Sequence, residues 1–230
     1  MSLKEIMSLD VAEGKIAIAW FNEYSGVAVK TQTSTVIFDP VGVRLTDVSE
    51  ADIIVVTHEH YDHFEARFTR DLQRQTNAVV VTTPFVASQL RGIPEDKLRA
   101  MEVGDTLTIG RVRLDAERSD HPGRQPLTFI LTSEDNLKVY HSSDSRPFPE
   151  MKEIGEKYGP DVALCTVGIA PSTSPRSGAE VAKLVQPKVA IPYHTDHPRS
   201  LEEFAEILGK EAPKIRTKII KQFEIYQYPE

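Results

Sequence analysis

The densest chemistry in this chain is His58-Glu59-His60-Tyr61-Asp62-His63, three histidines and an aspartate within six residues. Only 7 histidines occur in 230 residues, so this crowding calls for a cause. Neutral imidazole and carboxylate are good ligands for zinc-like ions. A solvated polar loop is the plainer alternative, but four such groups are costly to hold together without a cation. In an extended segment, side chains two apart point the same way. His58 and His60 can therefore share one focus, while Asp62 and His63 face a second one nearby. Glu59 and Tyr61 then point away.

Two foci need more donors than one loop supplies. His121 sits in the polar stretch Ser119-Asp120-His121-Pro122-Gly123, and Asp144 closes the turn His141-Ser142-Ser143-Asp144. His194 follows the apolar run Val189-Ala190-Ile191. Each falls just past an expected strand end, where α/β sheets usually build their sites. The candidate metal-ligating residues are thus His58, His60, Asp62, His63, His121, Asp144 and His194. Asp62, Asp144 and His194 are the candidates for a direct part in catalysis. Taken singly, His121, Asp144 and His194 read as ordinary loop residues; their number and order raise them. His141 reads as a supporting residue rather than a ligand. His197 reads equally as substrate contact or surface, and His197 or Tyr193 is a candidate donor to a leaving group. Asp39 could hold the histidine loop by accepting hydrogen bonds, or be a plain turn residue before Pro40. Arg124, Arg146, Arg176 and Arg199 lie in expected loops and could meet an anionic group such as phosphate; scattered surface arginines are the alternative. Residues 167–177 read as a loop over the site, whose Ser and Thr residues could contact substrate but lack a nucleophile-elbow context.

The elements that must position these groups follow from the pattern. Segments 15–21, 26–30 and 33–38 are short and rich in β-branched or aromatic residues, as strands are. The run Ile53-Ile54-Val55-Val56 suits a strand buried on both faces, and the histidine loop follows at once. A helix is expected within 62–74, a strand over 78–81 and a short helix over 84–90 with Thr83 as its cap. Alternating strands run to about 116, and 127–132 pairs with 137–140 as a hairpin. The last third alternates: helix 148–158, strand 162–167, helix 178–185, strand 189–191, helix 201–208 and strand 218–226. Strands in front and β/α units behind suggest sheets packed face to face with helices outside.

Nothing divides the chain into parts, so one domain over residues 1–230 is expected. The lone Cys165 lies in an apolar run, reads as a buried thiol and allows no intrachain disulfide. The net charge of −7 argues against a broad nucleic-acid surface. No segment has the length and apolarity of a signal peptide or a membrane span. The expectation is a soluble, cytoplasmic protein acting on a small molecule, with a homo-oligomer left open.

The motif His-x-His-x-Asp-His, followed in order by a His, an Asp and a His, resembles the metallo-β-lactamase superfamily of metallohydrolases. The motifs that carry this resemblance run from Asp39 to His194. Three stretches further resemble the small branch that includes L-ascorbate-6-phosphate lactonase: Val55-Val56-Thr57-His58, Val139-Tyr140-His141-Ser142-Ser143-Asp144 and Pro187-Lys188-Val189-Ala190-Ile191-Pro192-Tyr193-His194. Two local departures stand out: Ser142-Ser143-Asp144 replaces the commoner Ala/Ser-Gly-Asp, and Val167-Gly168-Ile169-Ala170-Pro171 is less Gly-rich than in that branch.

The resemblance implies an α/β, four-layer αβ/βα sandwich of two mixed β-sheets flanked by helices, with the site at one sheet edge. It implies two divalent metal ions, Zn2+ first, with Mn2+ or Fe2+ as alternatives. His58, His60 and His121 would hold one, Asp62, His63 and His194 the other, and Asp144 would bridge them. Two such ions can share a water and bring its pKa near neutrality, and the hydroxide would attack a carbonyl or phosphoryl centre. The expected activity is hydrolysis of a small ester, lactone or phosphoester. Phosphodiesterase or nuclease action is the alternative within the superfamily, although the acidic charge and the short span from His121 to Asp144 count against nucleic acid. A non-catalytic metal-binding protein on the same scaffold would be expected to have lost ligands, and none is lost.

Overall fold

The computed structural model describes residues 3–230. The first half of the chain runs α1 (Leu3–Met7), β1 (Ile16–Trp20), β2 (Val27–Lys30), β3 (Thr35–Phe38), β4 (Ile53–Val56), α2 (Ala66–Thr76), β5 (Val79–Thr82), α3 (Pro84–Gln89) and β6 (Leu98–Ala100). The second half runs β7 (Thr106–Ile109), β8 (Val112–Arg118), β9 (Leu127–Thr132), β10 (Lys138–His141), α4 (Met151–Tyr158), β11 (Val162–Thr166), α5 (Pro175–Val185), β12 (Val189–Tyr193), α6 (Pro198–Glu211), β13 (Arg216–Thr217) and β14 (Ile225–Tyr228).

Two seven-stranded sheets result, ordered β14-β1-β2-β3-β4-β5-β6 and β13-β12-β11-β10-β9-β8-β7. Both are mixed: β3 to β6 are parallel, as are β10 to β13, and each run continues on one side into antiparallel strands. Alternation along the strands sets the layers. In β1, Ile16, Ile18 and Trp20 join the core between the sheets, while Ala17 and Ala19 face α1 with Ile6 and Met7. The central strand β4 divides the same way, Ile53 and Val55 inward, Ile54 and Val56 outward, so its unbroken apolar run is needed on both faces. Leu201, Phe204 and Leu208 of α6 and Val181 and Val185 of α5 cover the second sheet. The expected four-layer sandwich is therefore what the sequence forms. Among the described residues no helix is long and apolar enough to cross a membrane.

Differences from the sequence reading have local causes. The helices after Ser174 and His197 begin at Pro175 and Pro198, a turn before the apolar periodicity starts, because proline suits a first helical turn. Helix α2 begins only after Glu65, whose side chain accepts from the amides of Arg67 and Phe68; the histidine loop stays outside it. Of the strand expected over 218–226 only the end is strand, the start of β14; the rest is the crossing from β13 in one sheet to β14 in the other, with Ile220 buried and Phe223 at φ 63°. Strand β12 continues through Pro192 to Tyr193, beyond the expected stop. This is tolerated because β13 pairs only with Val189 and Ala190, leaving Pro192 without a neighbour on that side. The reading also missed the five-residue α1 and the three-residue β6, both too short to show a period.

Candidate metal centre

The C-terminal ends of β3 and β4 and those of β10, β11 and β12 meet at one edge of the sandwich. The loop after β4 carries His58, His60, Asp62 and His63; the second sheet sends His121, Asp144 and His194 to the same place. The seven form two clusters: His58, His60, His121 and Asp144, then Asp62, His63 and His194, with the donor atoms of each cluster within 4.8 Å of one another. All are buried except half-buried His60.

In the first cluster three ring nitrogens converge. His60 Nδ1 stands 3.1 Å from His58 Nε2 and 3.0 Å from His121 Nε2. Nitrogens bound tetrahedrally to one zinc stand about 3.3 Å apart, given Zn–N bonds of about 2.0–2.1 Å. Asp144 lies between the clusters. Its Oδ2 is 3.8 Å from His58 Nε2 and 3.6 Å from His121 Nε2, while its Oδ1 is 3.1 Å from His63 Nε2 and 2.9 Å from His194 Nδ1. Asp62 Oδ2 is 3.7 Å from His63 Nε2 and 3.6 Å from His194 Nε2.

These groups crowd together without satisfying each other. His63 Nε2, Asp144 Oδ1 and both ring nitrogens of His194 are buried and make no hydrogen bond. Buried polar atoms normally find partners, because leaving one unpaired costs roughly 1–3 kcal/mol. Close approach without bonding geometry means that the lone pairs aim at shared points rather than at one another. Cations at those points would satisfy them, so the donor set fits divalent metal.

Around the clusters the other faces of the rings are fixed. His63 Nδ1 donates to Asp39 Oδ2 at 2.8 Å. Asp39 is fully buried and also accepts from the Thr57 amide at 2.8 Å and from the Ser25 and Thr57 hydroxyls at 2.9 Å each. Having given its proton to Asp39, the Thr57 hydroxyl accepts from Ser143 Oγ at 2.9 Å and from His58 Nδ1 at 3.1 Å. Both rings thus carry a proton on Nδ1 and turn Nε2 toward the centre. Of the two readings of Asp39, it is the hydrogen-bonded anchor. Ser25 and Thr57 were not singled out in the sequence; Ser25 is brought in by the β1–β2 turn, where Asn22 Oδ1 accepts from the amides of Tyr24 and Gly26.

Charge differs between the clusters. Burial, then the neighbouring His63 charge, pushes the His58 pKa well below the usual histidine value, and burial also lowers His121. Burial opposes charge on His63, but Asp144 and Asp39 outweigh it and hold its pKa well above the usual value. His194 is raised in the same way by Asp144 and Asp62 against its burial. Burial would raise Asp144, yet the His63 and His194 rings hold its carboxyl well below the usual range.

The supporting candidates fall elsewhere. His141 joins neither cluster: it stacks on Phe38 at 4.5 Å, accepts from the Ser143 amide and is pushed down to about 4 by burial. Tyr193 is buried and donates its hydroxyl to the Ser143 carbonyl, so it braces the Asp144 turn instead of facing a leaving group. His197 projects into solvent, its side chain 80% exposed. Arg146 pairs with Asp120, Arg176 with Glu211, and Arg124 stacks over Phe85. In the 167–177 loop, the Thr173 hydroxyl bonds the Gly168 and Ala170 carbonyls, and Ser174 caps α5. Tyr61 points to solvent and Glu59 accepts from the Arg124 amide, both away from the clusters.

Comparison with known proteins agrees with this fold. The sequence model of the beta-lactamase superfamily domain matches residues 22–195. A metal-dependent hydrolase of Rubrobacter xylanophilus is 31% identical, the match covering 73% of this chain and 76% of that protein. Another, from Pyrobaculum calidifontis, is 30% identical over 77% of this chain and 83% of its own. Igni18, a metallo hydrolase of the archaeon Ignicoccus hospitalis, shares the fold with a TM-score of 0.80 at 21% identity, over 94% of this chain and 99% of that one. The chain belongs to the metallo-β-lactamase superfamily and is a metal-dependent hydrolase.

Proposed function

We propose that the chain, as one hydrolase domain over residues 1–230, cleaves a small ester, lactone or phosphoester with two divalent cations. His58, His60 and His121 would hold one, Asp62, His63 and His194 the other, and Asp144 would bridge them. The observation that carries this reading is Asp144, with one oxygen turned to each cluster and Oδ1 left unpaired in a buried site. When bound, such cations lower the pKa of a water toward neutrality and polarise the bond to be cleaved.

The chain's own groups have separable tasks. Asp39 and Thr57 fix the Nδ1 protons of His63 and His58 and so keep both Nε2 lone pairs available. Asp62, whose Oδ2 lies 3.6 Å from His194 Nε2 and would face the second cation, or Asp144 would orient the attacking water. The three-imidazole set of the first cluster favours zinc, while the carboxylates of Asp62 and Asp144 suit manganese or iron as well. The stretches similar to the lactonase branch support a lactone among the substrates. The net charge of −7 disfavours nucleic acid.

The test is elemental analysis of protein purified without added metal, beside a His60→Ala, Asp144→Ala double variant. About two equivalents of zinc, manganese or iron, lost in the variant together with turnover of chromogenic esters, lactones or phosphodiesters, is expected. One equivalent would replace the dinuclear reading with a mononuclear one. No metal after reconstitution would overturn it.

A further inference from the structure

A cavity of about 450 Å3 opens at the same edge of the sandwich as the two clusters. Its floor is built from Trp20, Thr195 and Leu201, all buried, with Pro198 beside them. The indole N–H of Trp20 donates to the Tyr24 carbonyl at 2.6 Å, so what the ring offers the cavity is apolar surface. Glu23, Asp196 and Lys221 stand at its exposed rim.

Topology ties this cavity to the metal-binding edge. Strand β1 is antiparallel to β2, which is antiparallel to β3, so β1 ends where β3 and β4 end. The turn leaving β1 supplies both Glu23 at the rim and Ser25, which lies 2.8 Å from His63 Nδ1. The opposite wall begins at Thr195, the residue after His194. Two segments that build the clusters therefore also build the cavity. Its size lies in the range of about 300–1,000 Å3 usual for small-molecule sites.

The rim sets the charge of what enters. Two carboxylates, Glu23 and Asp196, oppose one ammonium, Lys221. Of the four arginines that could have met a phosphate, Arg146 and Arg176 are paired with Asp120 and Glu211, Arg124 stacks over Phe85, and Arg199 is exposed on α6; none of the four lines the cavity. We propose that this cavity receives the uncharged, apolar part of the substrate, which makes that substrate a neutral ester or lactone bearing an aromatic or branched aliphatic group. This rests on the hydrolase reading above and selects within it, against phosphoesters.

Trp20 is the chain's only tryptophan, so its fluorescence reports this cavity alone. The experiment titrates the protein as purified, and again after chelation, with N-benzylacetamide, a neutral aromatic amide that mimics an ester, and with phenyl phosphate. Trp20 emission is expected to change saturably with N-benzylacetamide, with phenyl phosphate binding at least about tenfold more weakly. Gln222→Phe, at the exposed rim, gives up the Nε2 hydrogen bond to the Asn22 carbonyl and is expected to fill the mouth and weaken the amide about tenfold, whereas Gln222→Ala, which loses the same bond without filling the mouth, is expected to bind it normally. Glu23→Lys is expected to narrow the preference against phenyl phosphate. A silent Trp20, an equal or tighter phosphate, or a Gln222→Phe variant that binds normally would each overturn the proposal. Binding is read without turnover, so the two readings fail separately: an inactive, metal-free protein that binds the amide breaks only the hydrolase mechanism. An active enzyme with a silent Trp20 breaks only this assignment.

Discussion

The His58, His60 and His121 cluster and the Asp62, His63 and His194 cluster share the Asp144 carboxylate but are held in opposite ways. In the first, rings lean on rings: the His58, His60 and His121 centroids lie 4.6, 4.8 and 4.9 Å apart, each pair near perpendicular. His60 is half-buried, and its ring's polar contacts are the other two rings. In the second, His63 is bonded to a carboxylate that itself accepts three further hydrogen bonds from Thr57 and Ser25. In the first half His60 and His121 depend on their neighbours for position and only His58 is tied outward, through Thr57, whereas in the second His63 is set in advance by the surrounding protein. The lesson is that similar donors can be positioned by mutual packing or by outer hydrogen bonds, and only the second survives loss of a neighbour.

The largest expected difference is in stability of the metal-free protein. His63→Ala strips a fully buried Asp39 of its ring partner and should cost about 3 kcal/mol, as breaking a buried charged pair does. His60→Ala removes a ring with no anchor in the scaffold and should cost about 1 kcal/mol or less. Denaturant midpoints of the two variants check this, and equal losses would show that the clusters are held alike. Next in size, Asp39→Asn should weaken cation binding in the His63 cluster about 10–100-fold and in the His58 cluster less, where it acts only through the Thr57 hydroxyl. A competitive chelator titration resolves the two steps, and a uniform loss would break the distinction. The smallest effect is expected from Ser143→Gly. Ser143 sits at φ 50°, a conformation glycine adopts freely, but its hydroxyl donates to Thr57. Relief and loss should nearly cancel, leaving thermal stability within about 1 kcal/mol. A much larger loss would mean that the hydroxyl, rather than the backbone turn, holds Asp144 in place.

What the sequence revealed follows the same division. The seven converging residues could be named because their types are rare and their order is fixed, and four of them sit side by side. The strands that deliver them were visible as unbroken apolar runs such as Ile53-Ile54-Val55-Val56, since burial on both faces leaves no polar residue. Ser25 and Thr57 carried no such mark; a serine in a turn and a threonine after a strand are ordinary until folding brings both to Asp39. The Trp20 cavity was hidden for the same reason, because its walls come from β1, α6 and the crossing before β14. The crossing at 218–224 reads as strand in the sequence because local propensity does not register a change of sheet.

One feature of the architecture bears on the protein before it is finished. His58 to His63 hang from the first sheet, while His121, Asp144 and His194 hang from the second. A ribosome delivers the first sheet's loop early and His194 only near the end, and β14 returns last to complete the first sheet beside β1. A domain generally folds as a unit during synthesis. A truncated or half-made chain therefore carries a histidine loop with nothing opposite it, and hydrolytic competence arrives late, with the last segments that close the sandwich.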